Sequence, residues 1–136
     1  MTALRLICFG YAAALFIAAS LNYLPIPGLI DENGNAFGVF ALDLFDDALH
    51  VASGLWALAA ALISHKAARI FLIWFGALYL ADGAMGLVTG SGYLDFGIFV
   101  YGWYEYPSFL IKLAANIPHI FLGGFAVFSA WAFERK

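Results

Sequence analysis

The chain has 136 residues, of which 65% are hydrophobic and only 11% charged, where a soluble domain carries about a quarter charged residues. With a mean hydropathy of +0.91, this composition excludes a water-soluble globular protein and predicts one integral membrane domain spanning residues 1–136. The net charge of −3 comes from acids and bases segregated along the chain, which excludes a basic nucleic-acid surface.

Four spans are expected, each an apolar run of roughly twenty residues matched to bilayer thickness. The first covers about residues 3–24 and stops at Pro25-Ile26-Pro27-Gly28. Its start has the outline of a secretory signal, with Arg5, an apolar run and then Ala18-Ala19-Ser20, but we read it as a retained span. Cys8 has no disulfide partner within the chain and reads as a small core residue. An outer loop, residues 25–45, leads to the second span at about 46–64, with Asp46 as its expected N-cap. The third span, about 67–88, ends in Thr89-Gly90-Ser91-Gly92. A second outer loop, 89–107, precedes the fourth span at about 108–133, where Pro118 is expected to kink the helix.

Charge sets the orientation. Arg5, Lys66, Arg69, Arg135 and Lys136 fall at one set of helix ends and only Lys112 at the other, so both termini and the turn between spans two and three are expected on the cytoplasmic side. Asp31, Glu32, Asp43, Asp46, Asp47, Asp95 and Glu105 crowd the opposite ends. The halves also echo each other. Phe9-Gly10 returns as Phe75-Gly76, Phe37-Gly38-Val39-Phe40 as Phe96-Gly97-Ile98-Phe99, and His50-Gly54-Ala57-Ala61 as His119-Gly123-Ala126-Ala130. The last pair shares the spacing i, i+4, i+7, i+11, which lines up one helical face. The expected fold class is therefore all-α, an integral membrane four-helix bundle built from two tandem two-helix repeats, with span two opposite span four. Because each repeat begins and ends on the same side, the repeats are parallel, with their axis along the membrane normal.

This pattern resembles a family of small four-span bacterial membrane proteins known as a domain of unknown function. The resemblance covers roughly Gly38 to Trp131. It rests on Asp47-Ala48-Leu49-His50 followed by Gly54, on Ala67-Ala68-Arg69, on Gly76 through Tyr79, on Gly86, and on Asn116-Ile117-Pro118-His119. The first copy departs from the pattern by carrying Asp47 where Asn stands in the second, which adds a negative charge beside His50. The resemblance implies the four-span architecture in a bacterial membrane protein, and with the charge asymmetry the expected location is the inner membrane with the acidic loops on the periplasmic or outer side. It brings no activity with it.

The candidate site is a polar layer. His50 and His119 each lie 14 residues from the cytoplasmic end of their spans, about 21 Å by the helical rise, and Asp82 lies about 22 Å into span three. Asp47 and Asn116 sit one turn above the histidines as polar partners, and Ser20 and Asn22 lie near the same level. Ionisable groups inside a span point to function. One reading is a hydrogen-bonded cluster that docks the hairpins. A second is a haem or related tetrapyrrole ligated by His50 and His119, with Gly54 and Gly123 leaving room beside the ring and aromatic walls around it. A third is a transition metal held by His50, His119, Asp82 and Asp47, giving a metal-binding membrane redox protein. A fourth is a proton or ion pathway.

Two outer features add to this layer. Lys112, on the same face as Asn116 and His119, reads as an interfacial lysine or as a salt-bridge partner of Asp43 or Asp46. Tyr101, Trp103, Tyr104 and Tyr106 form an aromatic segment suited to the headgroup region or to docking on a larger complex. His65, beside Lys66, reads as solvated or facing headgroups. The chain has no P-loop, His-Glu-x-x-His or Cys-x-x-Cys pattern, and Gly90-Ser91-Gly92 lacks the preceding strand of a nucleophile elbow. The expected function is a small non-enzymatic membrane protein, a binding or accessory subunit of a larger membrane complex contacting lipid, with cofactor-linked redox as the rival class.

Overall fold

The computed structural model describes residues 1–40 and 42–134. Five helices follow in order: α1 (Ala3–Ser20), α2 (Leu44–Ile63), α3 (His65–Thr89), the one-turn α4 (Gly97–Val100) and α5 (Phe109–Ala132), with a 3-10 turn at Leu21–Tyr23 after α1. Four of them are long and apolar enough to cross a membrane. Large side chains such as Phe121, Phe128 and Trp131 on α5 face outward, as a lipid solvent requires.

Local chemistry explains the ends of the helices. α2 starts at Leu44 because Asp43, not Asp46, is its cap. Asp46 N–H donates to Asp43 Oδ1 at 3.0 Å, and Asp43 N–H donates back to Asp46 Oδ2 at 3.2 Å. This is a reciprocal capping box closed by Asp rather than the usual Glu or Gln. A single residue, Ser64, separates α2 from α3: its extended backbone ends one helix, and its hydroxyl accepts from Ala67 N–H at 3.0 Å to begin the next. α3 ends where Gly90 takes a left-handed backbone, φ +82°, a conformation glycine adopts without steric cost. α5 runs unbroken through Pro118.

Packing joins α1 to α2 and α3 to α5, while α3 also touches α1 and α2 along the axis. The core runs from Leu4, Cys8, Tyr11 and Leu15 to an aromatic column on α3, where Phe71 stacks on Phe75 and Phe75 on Tyr79, with centroids 4.9 and 4.0 Å apart. Both stripes turn inward: His50, Gly54, Ala57 and Ala61 are buried, as are Gly123, Ala126 and Ala130. The glycines let backbones meet. A Cβ on Gly123 would stand 2.6 Å from Leu80 N and 2.7 Å from Gly76 O, which is the close approach small residues permit between membrane helices.

The cations at the end opposite the outer loops hold helix ends. Arg5 donates from Nε to Ala61 O at 2.6 Å and from Nη2 to Leu62 O at 3.0 Å, satisfying the final carbonyls of α2. Arg69 pairs with Glu134 at 3.2 Å. His65 is half-buried and hydrogen-bonded at both nitrogens: Nδ1 shares a hydrogen bond with Thr2 Oγ1 at 3.0 Å, and Nε2–H donates to Glu134 O at 3.1 Å. Arg135 and Lys136 lie outside the described residues. Replacing Arg5 by Met is expected to lower stability by about 1–2 kcal/mol through these two charged hydrogen bonds. Chemical unfolding in mixed micelles reads the change, and Arg5→Lys should recover part of it.

Candidate functional site

Asp82, on α3 and 3% exposed, is the centre of the polar layer. Its Oδ2 accepts the Nδ1–H of His119 from α5. Its Oδ1 accepts two backbone N–H groups from the second outer loop, Tyr93 at 2.8 Å and Leu94 at 3.0 Å. One carboxylate thus fastens three segments: α3, α5 and the loop that carries the aromatic residues. The loop can approach this closely because residue 92 is Gly. Any Cβ there would collide with the Asp82 carboxyl.

The layer's second side is not saturated. His50, on α2 and 6% exposed, has an Nδ1 without a hydrogen-bond partner among the described residues, and so does Asp47 Oδ1 one turn away. Asp47 Oδ2 accepts from the Tyr23 hydroxyl at 3.1 Å. Asp46 is also buried.

Several expected partnerships are replaced by others. Asn116 serves its own helix and the α3 contact instead of His119: Nδ2 donates to Lys112 O at 2.8 Å, and Oδ1 seats over Gly86, where a Cβ would clash. Ser20 bonds Ile17 O and Asn22 bonds Leu42 O, so neither joins the layer. Lys112 makes no salt bridge to Asp43 or Asp46. Its Nζ lies 3.5 Å from Val88 O, while Asp43 takes the Tyr101 hydroxyl at 3.0 Å.

Tyr79 lies against one side of His119. It is 2% exposed, packs its ring 5.0 Å from the His119 imidazole and shares a 3.3 Å hydrogen bond with Ser53 on α2. Gly54 does not open onto a cavity, because a Cβ there would come 2.8 Å from the Phe16 ring, and Gly123 is spent on the α3 backbone. A carboxylate on Nδ1 is the arrangement that orients an imidazole for a metal at Nε2. The expected set of His50, His119, Asp82 and Asp47 is nevertheless not assembled: among the described residues no three His, Cys, Asp or Glu side chains converge as metal ligands. Among the described residues neither His50 Nδ1 nor Asp47 Oδ1 bonds to the Asp82–His119 pair.

The outer loops close over this end. Phe45 at the start of α2 meets Phe96 edge to face at 5.5 Å, and Tyr101 reaches Asp43. The acceptor carboxylate holds the Tyr101 phenol above its ordinary pKa, and burial does the same for Tyr106. Phe37 and Phe96, the leading residues of the echoed loop motifs, both take left-handed backbones, φ 55° and 61°, a rare conformation for a bulky side chain. Trp103 and Tyr104 remain exposed at the rim.

Ser53 and the Tyr93 and Leu94 amides carry no role in the sequence reading, where Tyr79 enters only as the end of the Gly76–Tyr79 motif and Gly92 only as part of a turn. Only the i, i+4, i+8 aromatic spacing of Phe71, Phe75 and Tyr79 carries a signal for any of them.

Fold and site together define a multi-pass α-helical membrane protein in which a buried Asp82 pairs with a half-buried His119 beside the second outer loop. The chain belongs to the family described as Domain of unknown function (DUF4383), whose model matches residues 16–102. The match takes in His50, Asp82 and the second outer loop as far as residue 102, and stops short of Trp103, Asn116 and His119. No curated protein and no solved structure matches the chain.

Proposed function

We propose that this is a non-enzymatic protein of the bacterial inner membrane, acting as a binding or accessory subunit of a larger membrane complex, with its acidic loops on the periplasmic side. The observation that carries the reading is the use made of Asp82. Its charge is consumed by His119 and by two loop amides, so this side of the polar layer holds the aromatic cap in one shape. A rim bearing Tyr101 and Trp103, fastened to the bundle through Asp82, suits recognition.

Site-specific photo-crosslinking in membranes tests this. Probes at Tyr101 and Trp103 should give one discrete adduct that weakens when Asp82 is replaced by Ala, whereas a probe at lipid-facing Phe121 should give none. Equal adducts at all three positions, or none at any, would contradict a docking rim.

A proton or ion pathway is the second reading, favoured by the unpartnered His50 Nδ1 and Asp47 Oδ1. Proton flux into liposomes that is lost in His50→Gln would support it. The tetrapyrrole alternative predicts a Soret band lost in both His50→Ala and His119→Ala. Its obstacle is the Tyr79 ring, which would have to leave the His119 face.

A further inference from the structure

A cleft of about 460 Å³ opens where α3 ends and α5 begins, lined by Val88, Trp103, Tyr104, Glu105, Phe109 and Lys112 among others. Its size lies within the range of small-molecule sites, roughly 300–1,000 Å³. Two opposite charges face it, yet they do not pair with each other: the ion pairs among the described residues are Arg69–Glu134 and His119–Asp82. Lys112 projects from the first turns of α5 with only a long contact to Val88 O. Glu105 enters from the loop beside the exposed Trp103 and Tyr104 rings. A cleft at the end of two membrane-spanning helices lies at headgroup level, with the apolar Val88 and Phe109 side chains beside it.

We propose that this cleft binds the headgroup of a zwitterionic phospholipid, with the phosphate at Lys112 and the ammonium between Glu105 and the Trp103 and Tyr104 rings. The separated charges match the separated charges of that headgroup. Aromatic faces hold ammonium groups through cation–π attraction, and the first turn of a long helix adds a positive dipole end on the phosphate side. An anionic lipid such as phosphatidylglycerol would satisfy Lys112 but leave Glu105 facing a like-charged or neutral head, so the site selects for the amine. The inference does not depend on the subunit reading, since lipid retention and crosslinking to a partner are separate readouts.

Native mass spectrometry of the detergent-solubilised chain tests it, using equimolar phosphatidylethanolamine, phosphatidylcholine and phosphatidylglycerol. The wild type should retain a zwitterionic lipid over phosphatidylglycerol by about five-fold or more. The order of the two zwitterionic lipids reports whether the amine is held by hydrogen bonds to Glu105 or by the rings. Glu105→Gln should erase the preference over phosphatidylglycerol while leaving total retention, and Lys112→Ala should reduce retention of all three. Both side chains lie at the surface, and an unchanged unfolding midpoint confirms that the variants are folded. Preferential retention of phosphatidylglycerol by the wild type, or a preference that survives Glu105→Gln, would overturn the proposal.

Discussion

Replacing Asp82 by Ala should cost about 3 kcal/mol of stability, the low end of the loss expected when one partner of a buried ion pair is removed. The low end applies because the His119 side chain remains 22% exposed and keeps some access to its surroundings. The loss is more than one contact. His119 loses its acceptor, and the amides of Tyr93 and Leu94 lose theirs in a region where water replaces them poorly. Asp82→Asn separates the two contributions, since an amide oxygen still accepts from the loop but carries no charge for the imidazole. It should fall between wild type and Ala. Reversible unfolding in mixed micelles measures all three, and a destabilisation below about 0.5 kcal/mol in Asp82→Ala would place the pair among the weak polar contacts that average about 0.6 kcal/mol between membrane helices.

The second large effect concerns two glycines that the sequence echo treats as equivalent. Gly10 and Gly76 both follow a Phe in the first and third spans. A Cβ on Gly10 meets nothing within 4 Å, whereas one on Gly76 would stand 2.6 Å from Val127 Cγ2 and 2.7 Å from Gly123 O. Gly76→Val should therefore force α3 and α5 apart and destabilise by about 3 kcal/mol, the upper part of the overpacking range. Gly10→Ala should be neutral or stabilising by up to about 1 kcal/mol through helix propensity. The same unfolding assay distinguishes them, and a similar response at both sites would mean that the hairpins pack alike.

That asymmetry shows what the sequence could and could not disclose. The membrane spans were legible because apolar length is a one-dimensional property. The inward turn of the stripes was legible because small residues at helical spacing have few other uses in lipid. The start of α2 was misplaced by two residues, since an Asp-x-x-Asp box is a less familiar signature than one closed by Glu or Gln. In the site, a common depth for Asp82 and His119 was readable from helical rise and the two do pair, but the other choices of partner were not readable. Asn116 stood one turn from His119 and looked like its natural acceptor. The Asp82 carboxylate outcompetes it because it is charged and reaches across from α3, while Asn116 is drawn to Gly86, where only a missing side chain makes room. The return of the loop to Asp82 depends on Gly92, which in sequence reads only as part of a turn. Lys112 likewise went to the cleft at the end of α3 instead of to the acids of α2, because Asp43 and Asp46 are occupied by each other and by Tyr101.

Amide hydrogen exchange at Tyr93 and Leu94, followed in lipid nanodiscs for the wild type and for Asp82→Ala, tests most directly whether one carboxylate holds the outer cap to the bundle. Both amides should be protected in the wild type and exchange at least about ten-fold faster in the variant, the factor that corresponds to 1.4 kcal/mol of local opening. Equal exchange in the two proteins would contradict the account, because the cap would then be held by something other than Asp82.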